Sequence, residues 1–238
     1  MISQTYILID LLSVIVPLAA SFHPASMLYR RWYALFPAIV ITTIGYCIWD
    51  AWFTQMGIWG FNRHYLLGVN LWNLPLEEVL FFVCIPYACV FTFDSASSLI
   101  PDQQMSRGLK IFNIVLAVLF AIIAIIYRNN YYTASAFAVL ALLVLLAGVK
   151  RVSWMKRFYM VYAVLLIPFL IVNGLLTGTG LAAPVVWYNN AEIIGPRILT
   201  IPVEDVFYGM GLVLVNVWIY QEILSKKNQI ANAAIANG

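Results

Sequence analysis

Two short runs hold the residues best suited to chemistry in this chain: Pro75-Leu76-Glu77-Glu78 and Pro202-Val203-Glu204-Asp205. In each, a proline is followed by two adjacent acids at the mouth of a long apolar stretch. Proline suits the first turn of a helix, where its missing N–H costs nothing, and an acid there complements the macrodipole. One acid would need no more explanation than that. Doubled acids at two helix mouths point to general acid–base work. Neighbours on a helix differ by about 100°, so at most one acid of each pair aims at a shared cavity while the other supports it; the sequence leaves open which. Asp50, in Cys47-Ile48-Trp49-Asp50, and Asn173 fall one turn inside the ends of two further apolar stretches, at the same depth. An acid at that depth is costly without a partner and marks a site by default. The candidate acid–base residues are therefore Glu77, Glu78, Glu204, Asp205 and Asp50.

Around them lies a second group that could hold a substrate. Asp10 sits at similar depth with no acidic counterpart, which gives it a supporting role. Asn62 and Asn189 precede the two acidic runs at matched distance, and Arg197 is either a partner for these carboxylates or an ordinary loop base. The connecting segments 55–74 and 178–201 are rich in aromatics, among them Trp59 and Tyr188, while Phe81 and Tyr208 follow the acids. An interfacial belt accounts for several of these rings. A wall of aromatic faces also suits a carbocation, which the negative face of a ring attracts. Asn62, Asn173, Asn189, Arg197, Asp10, Trp59, Phe81, Tyr188 and Tyr208 are the candidate substrate contacts.

Other chemistries find little support. His23 and His64, the two histidines, cannot furnish the His-rich ligand sets of membrane di-iron enzymes. Cys47, Cys84 and Cys89 lie inside apolar segments without C-x-x-C spacing, so no metal site or disulfide framework is expected. No G-x-G-x-x-G follows a strand, and no cofactor is implied. The last apolar stretch has no lysine for a retinal, and no D-x-x-x-D pair suits a diphosphate. The net charge of +3 comes from bases in short pairs rather than one basic face, which argues against a nucleic-acid partner.

The elements that position these residues must lie in a bilayer. Charged residues make up 10% of the 238, against about 25% in soluble domains. Apolar stretches long enough to cross a membrane run over about 5–22, 32–54, 75–95, 110–127, 132–148, 157–177 and 202–222, predicting an all-α polytopic protein with seven spans. Placing the N-terminus outside puts ten of the thirteen Lys and Arg residues on the cytoplasmic side, as the positive-inside rule requires. Seven of the ten acids then gather at the outer side. The C-terminus is cytoplasmic, and the tail 226–238 reads as disordered.

An internal repeat explains that gathering. At an offset of 127, Asn62, Gly68, Pro75, Glu77, Glu78 and Val79 match Asn189, Gly195, Pro202, Glu204, Asp205 and Val206. With a four-residue insertion, Asp50 falls opposite Asn173. Helices 1–3 (residues 1–98) then correspond to helices 5–7 (131–225), joined by a connector with helix 4 (99–130). Equivalent helices four crossings apart run parallel, so both acidic mouths open on one face. A transporter built from parallel repeats, with the acids as proton relays, is the non-enzyme reading.

The runs Trp49-Asp50, Gly57-Ile58-Trp59-Gly60-Phe61-Asn62 and Leu74-Pro75-Leu76-Glu77-Glu78-Val79-Leu80-Phe81-Phe82 resemble the small membrane-embedded carotenoid cyclases. Those are the heterodimeric bacterial lycopene cyclases and the cyclase part of the fungal fused phytoene synthase and lycopene cyclase. Val172-Asn173-Gly174-Leu175-Leu176-Thr177-Gly178 and Arg197-Ile198-Leu199-Thr200-Ile201-Pro202-Val203-Glu204-Asp205 are similar to the second subunit, so both halves are fused here. The resemblance implies a lycopene β-cyclase of the bacterial plasma membrane, an intramolecular lyase or isomerase. It would close the ψ ends of lycopene, through γ-carotene, to the β-ionone rings of β-carotene. Its partners would be lycopene and other carotenoids, the lipid bilayer and other enzymes of carotenoid synthesis. The residues suit that reaction independently, because a carboxyl cluster in an apolar wall can hold both an acid and a base. A hydratase using the same protonation, and an ε-ring or C50 carotenoid cyclase, are the alternatives.

Overall fold

The computed structural model describes residues 4–236, with side chains to residue 230. Seven helices form the body: α1 (Thr5–Ala20), α2 (Trp32–Gln55), α3 (Leu76–Ser95), α4 (Arg107–Ile126), α5 (Tyr131–Lys150), α6 (Met155–Leu176) and α7 (Val203–Ala236). All but α1 are long and apolar enough to cross a membrane; α1, at 16 residues, is shorter than the roughly 20 a straight span uses. Apolar side chains such as Leu12, Ile48, Ile125 and Ile171 lie on their outer surfaces, where lipid rather than water is the matching solvent. The chain is an integral membrane protein.

The packing follows the repeat. Helix α1 lies against α3 as α5 lies against α7, and α2 packs on both α3 and α7. Helix α4 leans on α5, where Gly148 lets the Asn113 side chain approach closely. The acidic mouths of α3 and α7 meet at one end of the bundle, so the two three-helix repeats run parallel, with α4 as their link. At the opposite, basic end, Arg31 and Tyr220 both donate to the buried Asp94, at 2.5 and 2.6 Å. Arg157 pairs there with Asp102 at 2.9 Å.

The connecting segments repeat in detail at an offset of 127. Strand β1 (Trp59–Phe61), a 3₁₀ turn (Arg63–Tyr65), β2 (Asn70–Leu71) and β3 (Leu74–Pro75) lead into α3. Their counterparts are β4 (Val186–Tyr188), a 3₁₀ turn (Asn190–Glu192), β5 (Arg197–Ile198) and β6 (Ile201–Pro202), leading into α7. Strands β1 and β4 pair antiparallel, with Trp59 opposite Tyr188 and Gly60 opposite Trp187. The bare Cα of Gly60 lets the Trp187 indole pack close against the strand, and a side chain there would displace the indole. The small strands are additions to the helical body that hydropathy alone does not reveal.

Two expectations shift. Pro75 and Pro202 stand immediately before their helices, as the last residues of β3 and β6, rather than within the first turn. The segment expected to be disordered from 226 instead continues α7 to Ala236, in keeping with the strong helix propensity of Ala231, Ala233, Ala234 and Ala236. The last two residues of that segment lie outside the described residues.

Candidate active site

At the acidic end a cavity of about 490 Å³ reaches down between the two repeats. Three of the candidate acids line it: Asp50 from α2, Glu78 from α3 and Asp205 from α7. Each is at least nine-tenths buried, and no Lys or Arg side chain lines the cavity. The sequence left open which acid of each pair points inward; in both repeats it is the second.

The first acids do different work. Glu77 accepts the backbone N–H of Leu67, and Glu204 accepts that of Ile194, at positions again 127 apart. Thr133 adds a bond to Glu204 at 2.7 Å. Both glutamates are fully buried and absent from the cavity wall. They tie the loop before each helix back onto its mouth, each giving a part-buried loop N–H its acceptor.

Glu78 and Asp205 are held by phenols. Tyr6 of α1 donates to Glu78 at 2.5 Å, and Tyr132 of α5 donates to Asp205 at 2.5 Å. Asp205 receives a second donor, Tyr188 of β4, at 2.9 Å. Burial and the adjacent Asp205 push the Tyr188 phenol well above its ordinary range, so it stays a proton-bearing donor. Asp50 differs, for its Oδ2 is buried without a hydrogen-bond partner.

Aromatic faces close the site. The Trp49 and Tyr208 rings lie 5.1 Å apart, Tyr46 and Tyr208 also 5.1 Å, and Trp59 and Tyr132 5.0 Å. Tyr132 stacks on Tyr188 at 5.9 Å within the second repeat, and Trp59 of the first repeat reaches both rings. The Tyr208 hydroxyl is buried and unpartnered within this cage.

Of the candidate substrate contacts, Asn173, Trp59, Phe81, Tyr188 and Tyr208 all line the cavity. The others do not. The side chains of Asn62 and Asn189 cap the 3₁₀ turns, accepting the N–H of His64 and Ala191. Arg197 is an exposed loop base, donating to the Thr200 carbonyl and to Asn190. Asp10 is fully buried on α1 but outside the cavity wall, with neither oxygen hydrogen-bonded. Sequence reasoning missed Tyr6 and Tyr132. The signal available was a tyrosine near the start of helix 1 and again of helix 5, 126 residues on.

Such an arrangement can protonate and deprotonate an apolar molecule and shelter a cation between the two steps. Among the described residues, no group of three His, Cys, Asp or Glu side chains is arranged to hold a metal ion. The family model for lycopene cyclases matches residues 3–96 and 129–223, a segment on each repeat. A similar protein is the bifunctional lycopene cyclase/phytoene synthase of Pyrenophora tritici-repentis (strain Pt-1C-BFP), 29% identical over 82 residues. That match covers 31% of this chain and 14% of the fungal protein, so the chain spans a small part of that relative. No solved structure matches the chain. With both repeats matched over well over half its length, and with an acid from each meeting in one cavity, this chain belongs to the lycopene cyclase family.

Proposed function

We propose that the protein is a lycopene β-cyclase, an isomerase that closes the acyclic ends of lycopene without redox change. The observation that carries this reading is the meeting of Asp50, Glu78 and Asp205, from three helices and both repeats, in one aromatic-walled cavity. The Asp50–Glu78 pair delivers a proton to C2 of the terminal alkene, leaving a cation at C1. The C5–C6 double bond then attacks C1, forming the ring bond and moving the cation to C5. Asp205 removes the C6 proton, and the electrons of that bond become the ring double bond. The roles follow from the hydrogen bonds: donors stabilise a carboxylate's charged form, and Asp205 has two phenols where Glu78 has one. Asp50, with an oxygen unpartnered, sits where a neutral acid is favoured.

The aromatic cage stabilises the cation through ring quadrupoles, while the apolar wall keeps out water that would trap it as an alcohol. Ring type follows from which proton faces Asp205: loss from C6 gives a β ring, and loss from C4 an ε ring. The repeats extend over residues 1–98 and 131–225 around a connector at 99–130, a division that the element order and the matched segments support. The excess of bases at the end opposite the acids supports a non-cytoplasmic position for the site and the N-terminus.

Expression in a lycopene-accumulating bacterial host tests the reading. Pigment chromatography with mass spectrometry should show cyclic carotenoids at the mass of lycopene. A product heavier by water would make the protein a hydratase, and unchanged lycopene would refute cyclisation.

A further inference from the structure

The cavity is much longer than an acid–base centre needs. Below the acids its wall follows α3 from Glu78 to Thr92 and α6 from Leu176 back to Tyr162. At about 1.5 Å per residue, each path descends about 20 Å, some two-thirds of a bilayer's hydrocarbon core of about 30 Å. The lower part is apolar on every side, with Ile85 and Ala88 on α3, Leu165 and Phe169 on α6 and Pro17 on α1. The hydroxyls that border it are spent on backbone carbonyls: Ser13 bonds that of Ile9, Thr92 that of Ala88 and Tyr162 that of Val206 on α7. Nothing there suits water or an ion.

The same cavity opens sideways. Leu12 of α1 and Ile171 of α6 both line it, yet they are 71% and 62% exposed on the outer surface of the bundle. Leu12 lies about 9 Å and Ile171 about 8 Å along their helices from the acidic end, so the opening faces the hydrocarbon layer rather than either aqueous side.

We propose that the channel between α1, α3 and α6 seats the unreacted polyene arm of the substrate, admitted directly from the bilayer between Leu12 and Ile171. The proposal rests on the cyclase reading and adds to it the posture of the substrate. One end group lies among Asp50, Glu78 and Asp205, and the rest of the chain runs toward the basic end of the bundle. A long apolar substrate then never crosses water. Its length, and not only its end group, is read by the channel, with Ala88 on the channel wall about 15 Å below Glu78.

The test is Ala88→Trp, which fills the channel below the acids without touching them. Purified parent and variant in phosphatidylcholine liposomes are given lycopene and, separately, an apocarotenoid with one acyclic end group and half the chain length. KM for lycopene should rise about tenfold or more, as for lost binding of a non-reacting part, while the short substrate is turned over within about twofold of parent. Turnover of the short substrate also shows that the variant folds. Equal losses on both substrates, or an unchanged lycopene KM, would overturn the proposal. Ile171→Trp, at the opening, should lower kcat/KM for lycopene with kcat retained; an unchanged kcat/KM counts against lateral access. Parent protein that converts neither substrate would sink the cyclase reading instead. The channel is then judged by lycopene retained on gel filtration: retention by the parent and loss in Ala88→Trp sustains it, and equal retention overturns it.

Discussion

Asp205→Asn separates base catalysis from scaffold. In the parent, Oδ1 accepts from Tyr132 at 2.5 Å and Oδ2 from Tyr188 at 2.9 Å. The amide has nearly the same shape but retains one acceptor, so one of the two phenols loses its partner. Orphaning a buried hydroxyl costs about 1–3 kcal/mol, inside the roughly 5–15 kcal/mol by which folded domains are stable. The variant should therefore fold. Loss of a general base lowers a rate by about 10² to 10⁴, equivalent to about 2.7–5.4 kcal/mol of barrier at about 1.36 kcal/mol per tenfold. The kinetic effect thus exceeds the structural one. Initial rates of lycopene consumption in liposomes, normalised to folded protein by circular dichroism, measure the first; thermal midpoints measure the second. A variant cyclising at the parent rate refutes Asp205 as the base, and a rate falling only in proportion to folded protein makes it structural.

Cyclisation in D₂O should place one deuterium on each ring formed, at the methylene derived from C2, and mass spectrometry of the product detects it; unlabelled rings would exclude a solvent-exchanged carboxyl as the donor. Tyr6→Phe removes the phenol on Glu78 and should change turnover while the thermal midpoint shifts modestly, the lost bond being worth about 1–3 kcal/mol. Glu77→Leu and Glu204→Leu orphan the N–H of Leu67 and Ile194, and each should destabilise by about 1–3 kcal/mol and expose its loop to proteolysis. Loops as resistant as in the parent would mean that those glutamates brace nothing. Reporter fusions after Asn189 and after Lys227 should report opposite compartments, and agreement between them would remove the seven-span arrangement.

The candidate site was legible where polarity is scarce. In a chain this apolar, Glu78, Asp205 and Asp50 stand out because the bilayer makes each of them costly, and the 127-residue offset brings the two acidic mouths together. Which acid faces inward was not legible, since a 100° step is fixed only by where the loop N–H groups of Leu67 and Ile194 fall. Asn62 and Asn189 cap tight turns, and an Asn that does so recurs in a repeat just as a ligand-binding Asn would. Tyr6 and Tyr132 were hidden among fourteen tyrosines, most of which an interfacial belt would explain. The pairing of β1 with β4 joins segments far apart in sequence, and three-residue strands carry too little periodicity to announce themselves.

The ribbon of β1 and β4 is where the two repeats pair with each other. Besides the strand pairing, Asn62 donates its N–H to the Val185 carbonyl and Asn189 donates to that of Ile58, bonds that exchange places under the 127-residue offset. One half alone would leave this edge unpaired and open to another chain, and a second identical half would satisfy it. The architecture has the form of a symmetric dimer whose two halves are joined in one chain through α4. Perfect symmetry would also bring two equal carboxyls to the axis, with nothing to tell giver from receiver. In the present chain the two copies differ at the site: Asp50 is answered by an asparagine, and the glutamate of one mouth by the shorter, twice-held aspartate of the other. On the cyclase reading proposed above, that difference between the copies is what gives the proton a direction across the site.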